Sequence, residues 1–152
     1  MKKYFALIAA ILLMVSVSGC IIWDNSNKNV NNATFENQWI KFQYPSNLAV
    51  KDFSNDSTCS VTLYKFSDAI GNINFQINNK TEIFNTYPDA QNTTITGKES
   101  ITGNDETQLF AYVFLNNNMT KNLELFIEFN DAYQSAFDIT KNTIEIKKLP
   151  QL

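Results

Sequence analysis

The stretch Asn72-Ile73-Asn74-Phe75-Gln76-Ile77-Asn78 alternates polar and apolar residues without interruption. Successive side chains of a β-strand point to opposite faces, so this pattern predicts a strand with one face in a core and the other toward solvent. Residues 123–129 alternate in a similar way, and residues 107–115 are apolar on both faces. These segments predict an antiparallel sheet in which 107–115 is a central strand.

Shorter runs extend the sheet on both sides of this region. Residues 40–44 before Pro45, residues 60–66 and residues 93–102 are predicted strands, the last with a bulge at Gly97. Residues 80–85 predict a short helix or turn. After Asn130 the apolar spacing changes to three and four residues, which predicts a helix over 132–141. The fold class is therefore α+β, an antiparallel β-sheet with a C-terminal helix packed on it. An all-β sandwich or small barrel is the alternative if residues 131–141 are extended.

The first twenty residues have the organisation of a secretory signal. Lys2 and Lys3 precede an apolar run at residues 5–15, and small residues follow it. Val17-Ser18-Gly19-Cys20 resembles the lipobox of prokaryotic lipoproteins. The resemblance implies cleavage between Gly19 and Cys20 and a thioether-linked lipid on the Cys20 sulfur. An uncleaved transmembrane anchor over residues 4–23 is the alternative, because this stretch is uncharged and long enough to span a bilayer.

The chain is accordingly divided into four parts. We expect a signal peptide at 1–19, the lipidated cysteine and an Asn-rich tether at 20–36, a single α+β domain at 37–149 and a frayed tail at 150–152. An N-terminal strand that starts near Val30 is the alternative to the last part of the tether. Both readings of the N-terminus retain Lys2 and Lys3 on the cytoplasmic side. The predicted location is the cell membrane, reached through Cys20, with the domain outside the cytoplasm.

Two short motifs resemble the PsbP-like (Mog1/PsbP) superfamily. These are Phe42-Gln43-Tyr44-Pro45-Ser46-Asn47-Leu48 and Ile101-Thr102-Gly103-Asn104-Asp105-Glu106, and the resemblance spans residues 36–148. It implies an α/β/α sandwich. Leu48 departs from the pattern, since a tryptophan is usual there. The superfamily shares no single activity, so the resemblance implies no catalytic residue.

Composition excludes several classes of chemistry. The chain has no histidine, and all 12 of its basic residues are lysines, so imidazole catalysis, histidine-ligated metals and arginine clamps are excluded. Residues 20–152 contain 10 lysines and 15 acidic residues, and this net negative charge argues against nucleic acid as a partner. Two cysteines are too few for a multi-thiolate zinc site. We expect no cofactor, no metal and no catalytic residue.

The remaining candidates have simple interpretations. Glu124 and Glu128 are the acids placed regularly on one strand face, about 13 Å apart, too far for a glycosidase pair, and we interpret them as solvated. Asn104, Asp105 and Glu106 are expected to form a turn instead of a calcium site. Cys59 is expected to be a buried small hydrophobe. An aromatic set is expected in the core, with a ligand groove as the alternative: Phe110, Tyr112, Phe114 and Phe126.

Five Asn-x-Ser/Thr triplets are candidate glycosylation sites, at Asn32, Asn55, Asn79, Asn92 and Asn118. Taken together, these features predict a lipid-anchored, non-catalytic extracytoplasmic domain that binds an envelope protein or glycan. Two alternatives stay open. One is an envelope hydrolase that uses paired carboxylates, and the other is a structural component of the envelope.

Overall fold

A computed structural model describes residues 31–151. In this range ten strands and two α-helices follow one another. The strands are β1 (Asn32–Glu36), β2 (Ile40–Pro45), β3 (Ala49–Asp52), β4 (Ser60–Lys65), β5 (Asp68–Asn78), β6 (Gln91–Ile95), β7 (Lys98–Asp105), β8 (Gln108–Phe114), β9 (Asn122–Asn130) and β10 (Glu145–Ile146). The helices are α1 (Lys80–Thr86), between β5 and β6, and α2 (Gln134–Thr143), which follows β9 through one 3₁₀ turn.

The strands form two antiparallel sheets. The larger sheet has the order β3-β4-β5-β9-β8-β7-β6, and the smaller has the order β1-β2-β10. The alternating segment of the sequence lies in β5, where Ile73 is opposite Ile127 and Phe75 is opposite Leu125 of β9. Pairing of apolar with apolar positions fixes the register, because a slip by one residue would expose every apolar side chain of the strand.

The small sheet and α2 cover one face of the large sheet, which we call the inner face. Trp39, which directly precedes β2, and Phe42 of β2 are almost fully buried there. The Trp39 ring packs edge-on against Phe75, with 6.1 Å between centroids, and Phe137 of α2 packs on Phe129 at 6.0 Å. Edge-to-face geometry is favourable for aromatic pairs. The C-terminal helix is thus held by the main hydrophobic core.

These observations confirm the predicted α+β class with a C-terminal helix packed on antiparallel sheet. The large sheet ends at β3 on one side and at β6 on the other, so it is not a closed barrel. The all-β alternative is wrong, because residues 134–143 are helical.

The opposite face of the large sheet, the outer face, carries a smaller core under α1. Asn79 begins this helix, and its Oδ1 accepts hydrogen bonds from the backbone N–H groups of Thr81 and Glu82. Just beyond the helix, the Tyr87 ring lies 4.3 Å from the Phe110 ring. The aromatic set is packed in this core with Ile83 and Ile101, as predicted, and Phe126 lies at its margin.

The structure corrects two local predictions. Residues 32–36, expected at the end of the tether, form β1 and pair with β2, where the Phe35 and Phe42 rings are 5.2 Å apart. The bulge expected at Gly97 is instead a two-residue hairpin turn between β6 and β7. Thr96 and Gly97 have φ of 48° and 73°, as the tightest hairpins require at both positions.

Candidate functional site

Three strands in the middle of the outer face carry three different kinds of side chain. On β5 the outward residues are the carboxamides Asn72, Asn74 and Gln76, and on β8 they are aromatic. Between them, on β9, Glu128, Phe126 and Glu124 are each opposite one of these carboxamides. Helix α1 lies over the aromatic side, so the carboxamide side of the face has no helix on it.

A concavity of about 360 Å³ lies at one end of this face. Five polar side chains line it, and they come from four neighbouring strands: Thr62 of β4, Asn72 of β5, Glu128 and Asn130 of β9, and Gln108 of β8. We call these five residues and their concavity the polar pocket. All five are partly exposed, so their polar atoms are shielded by neighbours and still accessible to a ligand.

Glu128 is the only acid among the described residues that line the polar pocket. Within residues 31–151 its carboxylate has neither a hydrogen bond nor an ion pair. Two of its neighbours are engaged: Asn72 Nδ2 donates to Asn74 Oδ1 at 3.2 Å, and Asn130 Oδ1 accepts the N–H of Ala132 at 3.0 Å. A half-buried carboxylate without a protein donor retains its full capacity to accept hydrogen bonds.

Glu124 has a different environment, and its predicted solvation is wrong. The residue is 0% exposed. Its Oε1 accepts hydrogen bonds from Gln76 Nε2 at 2.8 Å and Asn78 Nδ2 at 2.7 Å, and its Oε2 lies 3.4 Å from Asn122 Nδ2. Burial raises the pKa of the Glu124 carboxyl, and the three carboxamide donors only partly oppose that rise. We call Glu124 and these three residues the carboxamide cluster.

Glu124 and Asn122 of the carboxamide cluster are fully buried, whereas Gln76 and Asn78 are partly exposed. Asn122 Oδ1 is a buried oxygen without a hydrogen-bond partner in the described chain. Lys80 is the first residue of α1, two positions after Asn78, and it is also buried. Its Nζ lies 2.7 Å from Glu99 Oε1 and 4.3 Å from the Phe114 ring centroid. The carboxamide cluster joins β5 to β9, and Lys80 joins the first turn of α1 to β7 and β8. We interpret both as structural.

The other acidic candidates do not come together. Asn104 and Asp105 end β7, and Glu106 follows in the turn before β8 with φ of 40°. Among residues 31–151 no group of three Cys, Asp or Glu side chains is placed to hold a metal ion. The predicted turn is formed by Glu106 and Thr107, whereas Asn104 and Asp105 belong to β7 and pair with β8.

Cys59 is 0% exposed, in agreement with its interpretation as a buried small residue, and forms no disulfide within residues 31–151. Burial raises the pKa of its thiol, while a hydrogen bond with Ser54 acts in the opposite direction. A thiol in this state is a poor nucleophile.

The five glycosylation candidates lie in turns, at the start of a helix or on edge strands of the two sheets. Asn32, Asn55, Asn92 and Asn118 are exposed, and Asn79 is partly exposed at the start of α1. Gly19 and Cys20, the predicted cleavage and lipidation positions, lie outside the described residues, as does the alternative anchor over 4–23. Within the described part of the chain, no helix has the length and apolar character needed to cross a bilayer.

No family model matches the sequence, and no curated protein matches it. A crystal structure from Bacteroides thetaiotaomicron is similar at 14% sequence identity with a TM-score of 0.41. The match covers 76% of this chain and 48% of the Bacteroides chain, so this protein corresponds to about half the length of that one.

Sequence reasoning did not find the polar pocket. Thr62, Asn72, Gln108 and Asn130 are ordinary polar residues of strands, and nothing in their local sequence distinguishes them. The sequence does contain one signal, the alternation of polar and apolar residues in β5 and β9, which places Asn72 and Glu128 on the same face of the sheet. Only the strand order brings Gln108 and Thr62 beside them.

Proposed function

We propose that this protein is a lipid-anchored, extracytoplasmic binding domain and that the polar pocket is its binding surface. The observation that carries the proposal is Glu128, a half-buried carboxylate with no protein partner in the described chain, in a concavity of about 360 Å³ lined by carboxamides. Concave sites of this size with a few convergent polar groups are typical of ligand sites.

The composition of the pocket supports binding in preference to catalysis. A general acid–base pair needs two titratable groups within reach of one substrate. Among the described residues that line the pocket, Glu128 has no second carboxyl, thiol or amine beside it. Glu124, the other acid on this face of β9, is enclosed by carboxamides. For these reasons we place the hydrolase alternative second.

The anchoring part of the proposal rests on Val17-Ser18-Gly19-Cys20 and the apolar run before it. The resemblance to the PsbP-like superfamily also remains a proposal, supported by a seven-stranded antiparallel sheet with a helix on each face. The tether between lipid and domain is shorter than residues 20–36, because β1 begins at Asn32.

Anchoring is tested in cells by comparing the wild-type chain with Cys20→Ala and Cys59→Ala. Wild type and Cys59→Ala should partition into the detergent phase, lack residues 1–19 by mass spectrometry and carry added acyl mass. Cys20→Ala should lose all three properties. Retention of residues 1–19 in the wild type would refute the lipobox assignment and support the transmembrane alternative.

Binding is tested by immobilising the detergent-extracted full chain and measuring capture of solubilised envelope material. Glu128→Gln, which keeps the shape of the side chain, should reduce capture. Glu145→Gln is the matched control, because Glu145 is an exposed residue on β10 of the small sheet and does not line the pocket. Equal capture by wild type and Glu128→Gln would remove the polar pocket from the proposal.

A further inference from the structure

The polar pocket limits the chemistry of its ligand. Its side chains offer one hydroxyl, three carboxamides and one carboxylate, and no cation lines it among the described residues. An anionic ligand would face Glu128 without a compensating charge. An apolar ligand would bury carboxamide and carboxylate oxygens without donors, which costs free energy for each one. An anionic or an apolar ligand is therefore disfavoured, and a neutral ligand with many hydrogen-bond donors and acceptors can satisfy all five groups.

Sugar hydroxyls match these groups individually. Each hydroxyl donates one hydrogen bond and accepts others, whereas a carboxylate only accepts and a carboxamide does both. The Glu128 carboxylate can accept from two neighbouring hydroxyls, and these bonds are strengthened by its charge. The Gln108 side chain makes no hydrogen bond within residues 31–151. It can therefore donate to and accept from a ligand on the other side of the pocket.

Phe126 extends the polar pocket along β9. It lies two residues from Glu128 on the same face, is partly exposed, and is opposite Asn74 on β5. Its ring is supported from the β8 side by Tyr112, with 4.7 Å between centroids. Asn72 donates to Asn74, so the carboxamides beside Phe126 are continuous with those of the pocket. An aromatic ring next to carboxamides offers an apolar surface for the C–H face of a pyranose ring while the hydroxyls reach the amides.

We propose that the polar pocket and Phe126 together bind a neutral glycan. One sugar unit occupies the pocket, with hydroxyls bonded to Glu128 and Asn72, and the next unit lies on the Phe126 ring beside Asn74. This inference rests on the proposed function, because it names the class of envelope ligand that the same surface binds.

The test measures binding of a panel of neutral oligosaccharides to the detergent-extracted full chain by saturation-transfer NMR and calorimetry. The panel contains cellohexaose, maltohexaose, mannohexaose and N-acetylchitohexaose. A cationic chitosan hexamer and an anionic oligogalacturonate represent the other charge classes. We expect at least one neutral member to bind with a Kd below about 1 mM and with little dependence on salt.

Two variants connect that binding to the site. Glu128→Gln should weaken it about tenfold, as expected for loss of a hydrogen bond to a charged acceptor. Phe126→Leu keeps the apolar volume and removes the ring, and should weaken binding about fivefold. Glu145→Gln, the matched control on the small sheet, should stay within about twofold. Circular dichroism and the unfolding midpoint verify that each variant is folded.

Several results would overturn the inference. One is that no neutral member binds to folded wild-type protein. Another is neutral binding that both Glu128→Gln and Phe126→Leu leave unchanged. A third is salt-sensitive binding of the chitosan hexamer alone, which would indicate an amine ligand for Glu128. If envelope capture still depends on Glu128 while no neutral glycan binds, the proposed binding function stands and the glycan assignment fails.

Discussion

Replacing the Glu124 carboxyl with an amide should alter how stability depends on pH. The folded protein holds this side chain fully buried, with two short hydrogen bonds to Oε1 from Gln76 and Asn78. Burial raises its pKa above the ordinary value of 4.5. Glu124→Gln keeps an oxygen acceptor for Gln76 and Asn78 and removes the ionisation. Its amide nitrogen replaces Oε2 and can donate to Asn122 Oδ1 once the Asn122 carboxamide is turned over.

The direction of the effect follows from proton binding. Below pH 4.5 the carboxyl is protonated in both folded and unfolded chains, so it contributes no pH dependence. Above that pH the unfolded chain releases the proton while the folded chain retains it, and the free energy of unfolding falls by about 1.4 kcal/mol per pH unit. The fall ends at the raised pKa of the folded state. Glu124→Gln should lack this loss, so it should equal or exceed wild-type stability near neutral pH.

Urea unfolding at pH values from about 3 to about 8 measures the difference. Trp39, which is 1% exposed, provides the fluorescence signal. The wild-type curve should fall relative to Glu124→Gln as pH rises, and the two should run parallel at the acid end. Parallel curves over the whole range, or a variant less stable by more than about 1 kcal/mol near pH 7, would refute the reasoning. Glu124→Ala is the contrasting variant, and should lose about 2–5 kcal/mol at every pH because it leaves a void and removes the acceptor of Asn122.

Three further outcomes follow from the packing. Gly71→Ala would bring a Cβ to 2.8 Å from the buried Phe129 ring and should cost about 1–3 kcal/mol in urea unfolding. Gly97→Ala, where nothing lies within 4 Å and φ is +73°, should cost only about 1 kcal/mol, and the reverse order would contradict the packing argument. Cys59 should react with a thiol reagent only as fast as the protein unfolds, and rapid labelling of native protein would show that the thiol is accessible. A double-mutant cycle of Lys80→Met and Glu99→Gln should give a coupling of about 1 kcal/mol that decreases with salt, and a value near zero would mean that the 2.7 Å ion pair is fully screened.

The face of the sheet on which each side chain lies could be predicted from the sequence, because the alternation along a strand is a local property. The alternation in β5 and β9 and the two-sided apolar character of β8 each follow from what one strand must bury. Elements that depend on pairing partners could not be predicted in this way. β1 and β3 are short and largely exposed, and only their neighbours β2 and β4 make them strands. The turn at Thr96 was also hidden, since β-branched residues rarely adopt positive φ.

The same distinction explains the error at Glu124. The alternation placed this residue correctly on the outer face, away from Leu123 and Leu125. It gave no information on the side chains opposite, and the register supplies Gln76 on one side and Phe114 on the other. With Asn78 and Asn122 these neighbours enclose the carboxylate. Glu128 lies on the same face and has no such enclosure, so two acids on one strand face have opposite environments.

The difference between the two acids is a consequence of how much of the outer face α1 can cover. Seven strands at about 4.8 Å spacing give a sheet roughly 29 Å wide, whereas the seven residues of α1 extend about 10 Å. The capping contacts of Asn79 and the bond from Lys80 N–H to the Met119 carbonyl hold the helix at the end of the sheet where β5 finishes. The other end, with Glu128, has no helical cover, and a sheet face open to water carries polar side chains there.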